Sequence, residues 1–222
     1  MVNIMDDKII LTVFTDPMMG LSYESEPIIE RLRQEYNEKI EIRYVMSLLV
    51  KDVSDFMTYE ERSLNPTEGI RVYNKRLAKI YKSEEAIGGL PINMDDFRLF
   101  DEDHRSSKPL NLAYKAAQLA APDKADLFLK ELRHATVVDC LPTTHTEEIL
   151  KVAQKTGINS DEFHKFFSDG SAERELEKDL VLTMRLGIHS LPSYLIQNSS
   201  KALIMQSFDY NDFANTVNNM IQ

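Results

Sequence analysis

At 222 residues, with 43% apolar and 28% charged side chains, the chain has the composition of a globular protein of one large domain or two modest ones. Its 36 acidic against 26 basic residues leave a net charge of −10, which repels phosphate backbones and argues against nucleic acid as a partner. A single cysteine, Cys140, excludes an intrachain disulfide and a Cys-rich metal site, and no apolar run is long enough for a membrane span.

The opening stretch MVNIMDDKII carries acids where a secretory signal would carry a basic and then an apolar segment, so a cytoplasmic location is expected. KIILTVFT (Lys8 to Thr15) is a short β-branched run stopped by Asp16-Pro17, which predicts a buried strand. The turn FTDPMMGLSYESEP follows, offering methionines where a strand-to-helix junction often presents a nucleophile. EPIIERLRQEY predicts a helix with Ile28, Leu32 and Tyr36 on one face. KIEIRYVM (Lys39 to Met46) alternates as a half-buried strand.

From Lys51 to Gly187 the apolar period lengthens to that of helices. Ile87 to Lys108 has no clear period and is expected to be an irregular excursion. NLAYKAAQLAA and KADLFLKELRHA predict a helical pair broken at Pro122-Asp123. Thr144-His145-Thr146-Glu147 reads as a capping box opening a helix with Ile149, Leu150, Val152 and Ala153, closed at Gly157. Phe163, Phe166 and Phe167, then Leu176, Leu180 and Met184, continue at helical spacing up to Gly187. PSYLIQNSSKALIMQS predicts a hairpin turning at Asn198-Ser199-Ser200, and Phe213, Val217, Met220 and Ile221 mark a last helix.

The five histidines lack metal-ligand spacing, so no metal is expected, and the acidic run NMDDFRLFDEDH is expected to be a solvated loop. IGGLP lacks the setting of a phosphate loop, which argues against a nucleotide cofactor. The order β-α-β, helical block, β-β-α separates the two halves of a sheet in sequence. The block must therefore return its ends to one sheet, with the end of the first strand beside the start of the third.

That layout resembles the DsbA-like branch of the thioredoxin fold, which includes FrnE-type dithiol-disulfide isomerases. FTDPMMGLSYESEPII is similar to its F-x-D-P-x-C-x-x-C opening, and RLGIHSLPSYLI to the segment that carries its cis-proline. The resemblance covers nearly the whole chain. It implies an α/β thioredoxin-like fold with an inserted α-helical domain: 1–46 and 189–222 form the discontinuous thioredoxin-like domain, and 47–188 the helical insertion. It also implies that Leu191-Pro192 is cis.

Aligned on Asp16-Pro17, the two cysteine positions hold Met19 and Ser22. A thioether cannot ionise or form a mixed disulfide, so redox catalysis at this position is excluded, and Cys140 falls in the insert, where packing is expected. A glutathione-dependent branch of kappa-transferase and hydroxychromene-carboxylate-isomerase type shares Ser22-Tyr23, but its activating serine also aligns with Met19. Ser22 is expected to cap the helix instead. EPII, LAYKAAQLAAPDKADLFLKEL and EEILKVAQKTGINSDEFHKFF resemble the Spx-degradation adaptor branch (SpxH, also called YjbH). That resemblance implies a protein partner, an Spx-type regulator presented to ClpXP, with no cofactor and no catalytic residue. The degenerate site would then be a binding groove of Met18, Met19, Gly20, Leu21, Ser22, Leu191 and Pro192.

Overall fold

The computed structural model describes residues 8–221. β1 (Ile9–Thr15) pairs in parallel with β2 (Ile40–Met46), in register from Ile9 opposite Ile40 to Thr15 opposite Met46. β3 (Ser193–Gln197) runs antiparallel on the other side of β1, with Ser193 opposite Phe14, and β4 (Ala202–Met205) completes the sheet order β2-β1-β3-β4. The end of the first strand thus lies beside the start of the third. The β3–β4 turn closes on Asn198, whose side-chain oxygen accepts the backbone N–H groups of Ser200 and Lys201. The Leu191-Pro192 bond is cis, as expected.

Both faces of the sheet are covered, which is why β1 reads as a continuous apolar run. Ile9, Leu11 and Val13 pack on α2 (Glu26–Tyr36) and α10 (Tyr210–Ile221), where the Phe213 ring stands edge-on to Tyr194 at 4.8 Å. α2 buries Ile29, Leu32 and Tyr36, so Ile29 takes the inward position expected for Ile28, which is only partly covered. Phe14, Val45 and Leu195 point the other way, against Leu186, Ile188 and Leu191.

Between β2 and β3 lie α3 (Tyr59–Ser63), α4 (Pro66–Gly88), α5 (Lys108–Ala120), α6 (Ala125–Val137), α7 (Thr146–Lys155), α8 (Ser160–Ser168) and α9 (Ser171–Arg185). α4 starts with Asn65 as side-chain cap and Pro66 in its first turn, and stops at Gly89 in the left-handed region. From Gly89 to Ser107 the chain forms neither helix nor strand, close to the expected excursion. α5 and α6 break at Pro122–Lys124, as the proline predicts.

The expected capping box of α7 does not form. Thr144 is buried and its hydroxyl donates to the Leu99 carbonyl, so His145 becomes the cap position without a side-chain bond. A buried hydroxyl with a tertiary acceptor has no reason to serve the helix end. The helices share a core around Tyr114, Phe128 and Phe163, and Met18, Tyr23 and Met46 from the sheet half join it. Among the described residues, no helix is long and apolar enough to cross a membrane.

Candidate functional site

Asp16 sets the turn that follows β1. It is fully buried; one carboxylate oxygen accepts the Met18 N–H at 3.1 Å. The other accepts from Leu49 N at 2.8 Å, Ser107 Oγ at 2.6 Å and Asn111 Nδ2 at 2.9 Å. One side chain therefore ties the turn to the exit of β2 and to the start of α5. Burial raises its pKa, opposed by these hydrogen bonds.

The turn delivers Met19 to the cap position of α1 (Gly20–Glu24), where its side chain makes no capping bond. Ser22 does not cap the helix either. It is 1% exposed, and its hydroxyl accepts from Thr15 Oγ1 at 2.7 Å and lies 3.9 Å from Met19 Sδ. Thr15 in turn accepts from Arg133 Nη2 at 2.9 Å. Arg133 is a buried cation from α6 that also meets Glu26 at 3.3 Å and the face of Tyr44 at 5.7 Å. The two positions aligned with cysteines thus hold a thioether and a hydroxyl locked into a buried polar chain.

The N-terminus of α1 faces α4. The Glu84 carboxyl lies against the Leu21 N–H, and a Cβ on Gly20 would stand 2.1 Å from Glu84 Oε2, so glycine permits the approach. Burial, with the nearby Glu24 carboxylate adding to it, pushes Glu84 up to about 7. Among the described residues, its Oε2 and the Oε1 of Glu24 are buried without hydrogen-bond partners, and burial raises the Glu24 pKa as well. A helix N-terminus that would stabilise a thiolate is occupied here by a carboxyl.

Met18, Met19, Gly20 and Leu21 line one cavity of about 160 Å³, closed by Phe56 and by Tyr73, Leu77, Ile80 and Tyr81 of α4. Ser22, Leu191 and Pro192 are not among its lining residues. The structure therefore gathers four of the seven expected groove residues. Ser22 and Pro192 are buried, and Leu191 packs with Phe14 on the α9 side. Phe56 and the α4 residues escaped the sequence reading because their separation from the turn hides the contact.

Cys140 follows α6 with φ of 54°; its thiol donates to the Asn93 carbonyl at 2.7 Å. Burial, then Asp95, Asp139 and Asp96, raise its pKa, so it is a poor nucleophile. His104 and His145, distant in sequence, stack at 3.7 Å beside Asp101. That cluster belongs to another part of the molecule.

The chain is similar in fold to a putative protein disulfide isomerase from Nitrosomonas europaea (TM-score 0.76, 16% identity, covering 96% of this chain and 98% of that one). It is also similar to oxidised BdbD from Bacillus subtilis (TM-score 0.63, 12% identity, covering 98% and 89%). Among curated proteins, it is 22% identical over 187 residues to the ClpXP adapter protein SpxH of Halalkalibacterium halodurans, covering 84% of this chain and 58% of that protein. The SpxH of Bacillus subtilis matches at 22% over 189 residues with the same two shares, 84% and 58%. The chain thus spans somewhat more than half the length of the curated relatives it matches. The family description Thioredoxin matches residues 12–212, so the chain belongs to the thioredoxin family, with a DsbA-like fold and sequence similarity to SpxH.

Proposed function

We propose that this protein is a protein-binding adaptor, without thiol-disulfide chemistry, that presents an Spx-type regulator to the ClpXP protease in the cytoplasm. The observation that carries the reading is the pair Met19 and Ser22, buried at the positions where the branch keeps its redox cysteines. Neither side chain supplies a thiolate, so the groove is left with binding alone. Relatives named as ClpXP adapters support the partner class.

In this reading 1–46 with 189–222 form the thioredoxin-like unit, and 47–188 an inserted helical unit that closes the groove. Met18, Met19, Gly20 and Leu21 form its floor, where thioethers adapt to varied partner surfaces. Ser22 and Pro192 support the floor from within, and Leu191 flanks it. The partly exposed Phe56 and Ile80 form its apolar rim.

The test is a reconstituted degradation assay of an Spx-type regulator by ClpXP, with and without this chain. Acceleration, together with capture of the regulator on immobilised protein, is the expected result; an unchanged rate with no capture overturns the reading. Glutathione is expected to give no saturable heat in calorimetry. Saturable binding weakened by Ser22→Ala would favour a glutathione-dependent enzyme instead.

A further inference from the structure

The connector between α4 and α5 carries Asp101 and His104, and the cap position of α7 carries His145. Far apart in sequence, they form one cluster. Asp101 Oδ1 accepts the backbone N–H groups of Asp103 at 2.9 Å and His104 at 2.8 Å, which fixes the carboxylate in the turn. His104 Nδ1 lies 2.9 and 3.1 Å from its two oxygens, and His145 Nε2 lies 2.8 Å from Oδ2. The two imidazoles are stacked with centroids 3.7 Å apart and planes 22° from parallel, which brings a nitrogen of each ring to the same carboxylate. His145 is anchored independently of the carboxylate, because the neighbouring Thr144 hydroxyl is bonded to the Leu99 carbonyl.

We propose that Asp101, His104 and His145 form a binding site for one divalent transition-metal ion of the zinc class, which tethers the connector to α7. One potential ligand atom from each residue falls within 4.8 Å of the others. Neighbouring ligands around a tetrahedral ion with bonds of about 2.1 Å stand roughly 3.4 Å apart, so the N–O separations of 2.8 to 3.1 Å need to open only by a few tenths of an ångström for an ion to enter. Two imidazoles and one carboxylate make a borderline donor set that favours zinc and its late first-row neighbours over magnesium or calcium. The side chains of Asp101, His104 and His145 are 45%, 35% and 29% exposed, so an entry path is open. Asp101 and His145 also line a cavity of about 520 Å³ with Thr67, Asn74, Phe100 and Pro142. Three protein ligands leave a coordination position for water or for a donor atom entering from that cavity. The site is separate from the Met19 groove and does not depend on the adaptor reading.

The experiment uses tag-free full chain, stripped with a chelator and titrated with zinc in calorimetry and in competition with a chromophoric chelator. One zinc per chain is expected, with no displacement by millimolar magnesium or calcium and a melting temperature raised by zinc. His104→Ala and His145→Gln should each weaken binding at least tenfold. Asp101→Asn, which keeps the acceptor oxygen of the turn, should weaken it while leaving the circular dichroism unchanged. Absence of stoichiometric binding overturns the proposal. So does binding that survives in the folded double variant His104→Ala, His145→Gln, or binding that is lost with Cys140→Ser alone.

Discussion

Asp16 shows how little freedom the turn has. Three donors, from Leu49, Ser107 and Asn111, converge on one carboxylate oxygen, so no amide orientation satisfies all the contacts. Asp16→Asn either turns an NH₂ toward those donors or withdraws the acceptor from the Met18 N–H. Leaving buried donors unsatisfied costs about 1–3 kcal/mol each, and the variant is expected to lose roughly 2–4 kcal/mol in a urea unfolding titration. An unchanged midpoint would mean that the hub does not hold the turn. The sequence showed Asp16-Pro17 as a strand stop and showed which residues replace the cysteines, because both are local. It did not show the partners of Asp16 or the buried role of Ser22, which the chain supplies from far away. The cap and third helical positions are still spaced for a dithiol. Met19→Cys with Ser22→Cys is therefore expected to form a disulfide in free-thiol titration and to reduce insulin above the uncatalysed rate, while the unmodified protein stays at that rate. Adding Glu84→Gln should lower the pKa of the first thiol, since a carboxylate no longer faces it. Insulin reduction by the unmodified protein would sink the account of the site.

The element that shapes the groove is α4, and the sequence assigned its region to helix without showing where it packs. Its Asn65 cap, Pro66 and left-handed Gly89 set its ends locally, but its contact with α1 depends on Gly88 meeting the Glu24 backbone and Gly20 meeting the Glu84 side chain. A Cβ on Gly88 would stand 2.2 Å from the Glu24 carbonyl oxygen, so Gly88→Ala must push α4 away from α1. A loss of about 1–3 kcal/mol is expected, measured by thermal or urea unfolding, because backbone cannot yield as a side-chain tip does. Glu84 adds a pH dependence to the same contact. Its folded pKa of about 7 lies above the ordinary 4.5, so the fold holds this proton more tightly than the unfolded chain. The associated stability is present below about pH 4.5 and is lost as pH rises through about 7. Water reaches part of the carboxyl, which limits the effect to about 1–2 kcal/mol. Between pH 5 and 8 the urea midpoint of the unmodified protein should therefore fall relative to that of Glu84→Gln. Parallel curves for the two proteins would assign the pH dependence elsewhere.

At the scale of the whole molecule, the order of periods was enough to specify a sheet built from both ends of the chain. Parallel and antiparallel partners of β1 follow from that order, because a helical block that returns to the sheet must bring β3 beside β1. The joint between the sheet half and the helical half was not legible, since each contact across it pairs residues without a shared local pattern. That joint also separates two ways of recruiting a partner. Among the described residues β4 is an unpaired sheet edge with Leu203 and Ile204 about half exposed, where a strand could add on, while the cavity over Met18 and Met19 opens beside Phe56 and Ile80. The adaptor reading places docking at the cavity, because it replaces the branch's redox centre and because apolar side chains rim a methionine floor. Phe56→Ser with Ile80→Ser should reduce capture of the Spx-type regulator at least tenfold, while Ile204→Lys, which charges the free edge, should leave it within twofold. Circular dichroism and unfolding midpoints would verify that both variants keep the fold. The reverse pattern, with capture lost at Ile204→Lys and retained in the rim variant, would move recognition to strand addition and leave the former redox site as packing between the two halves.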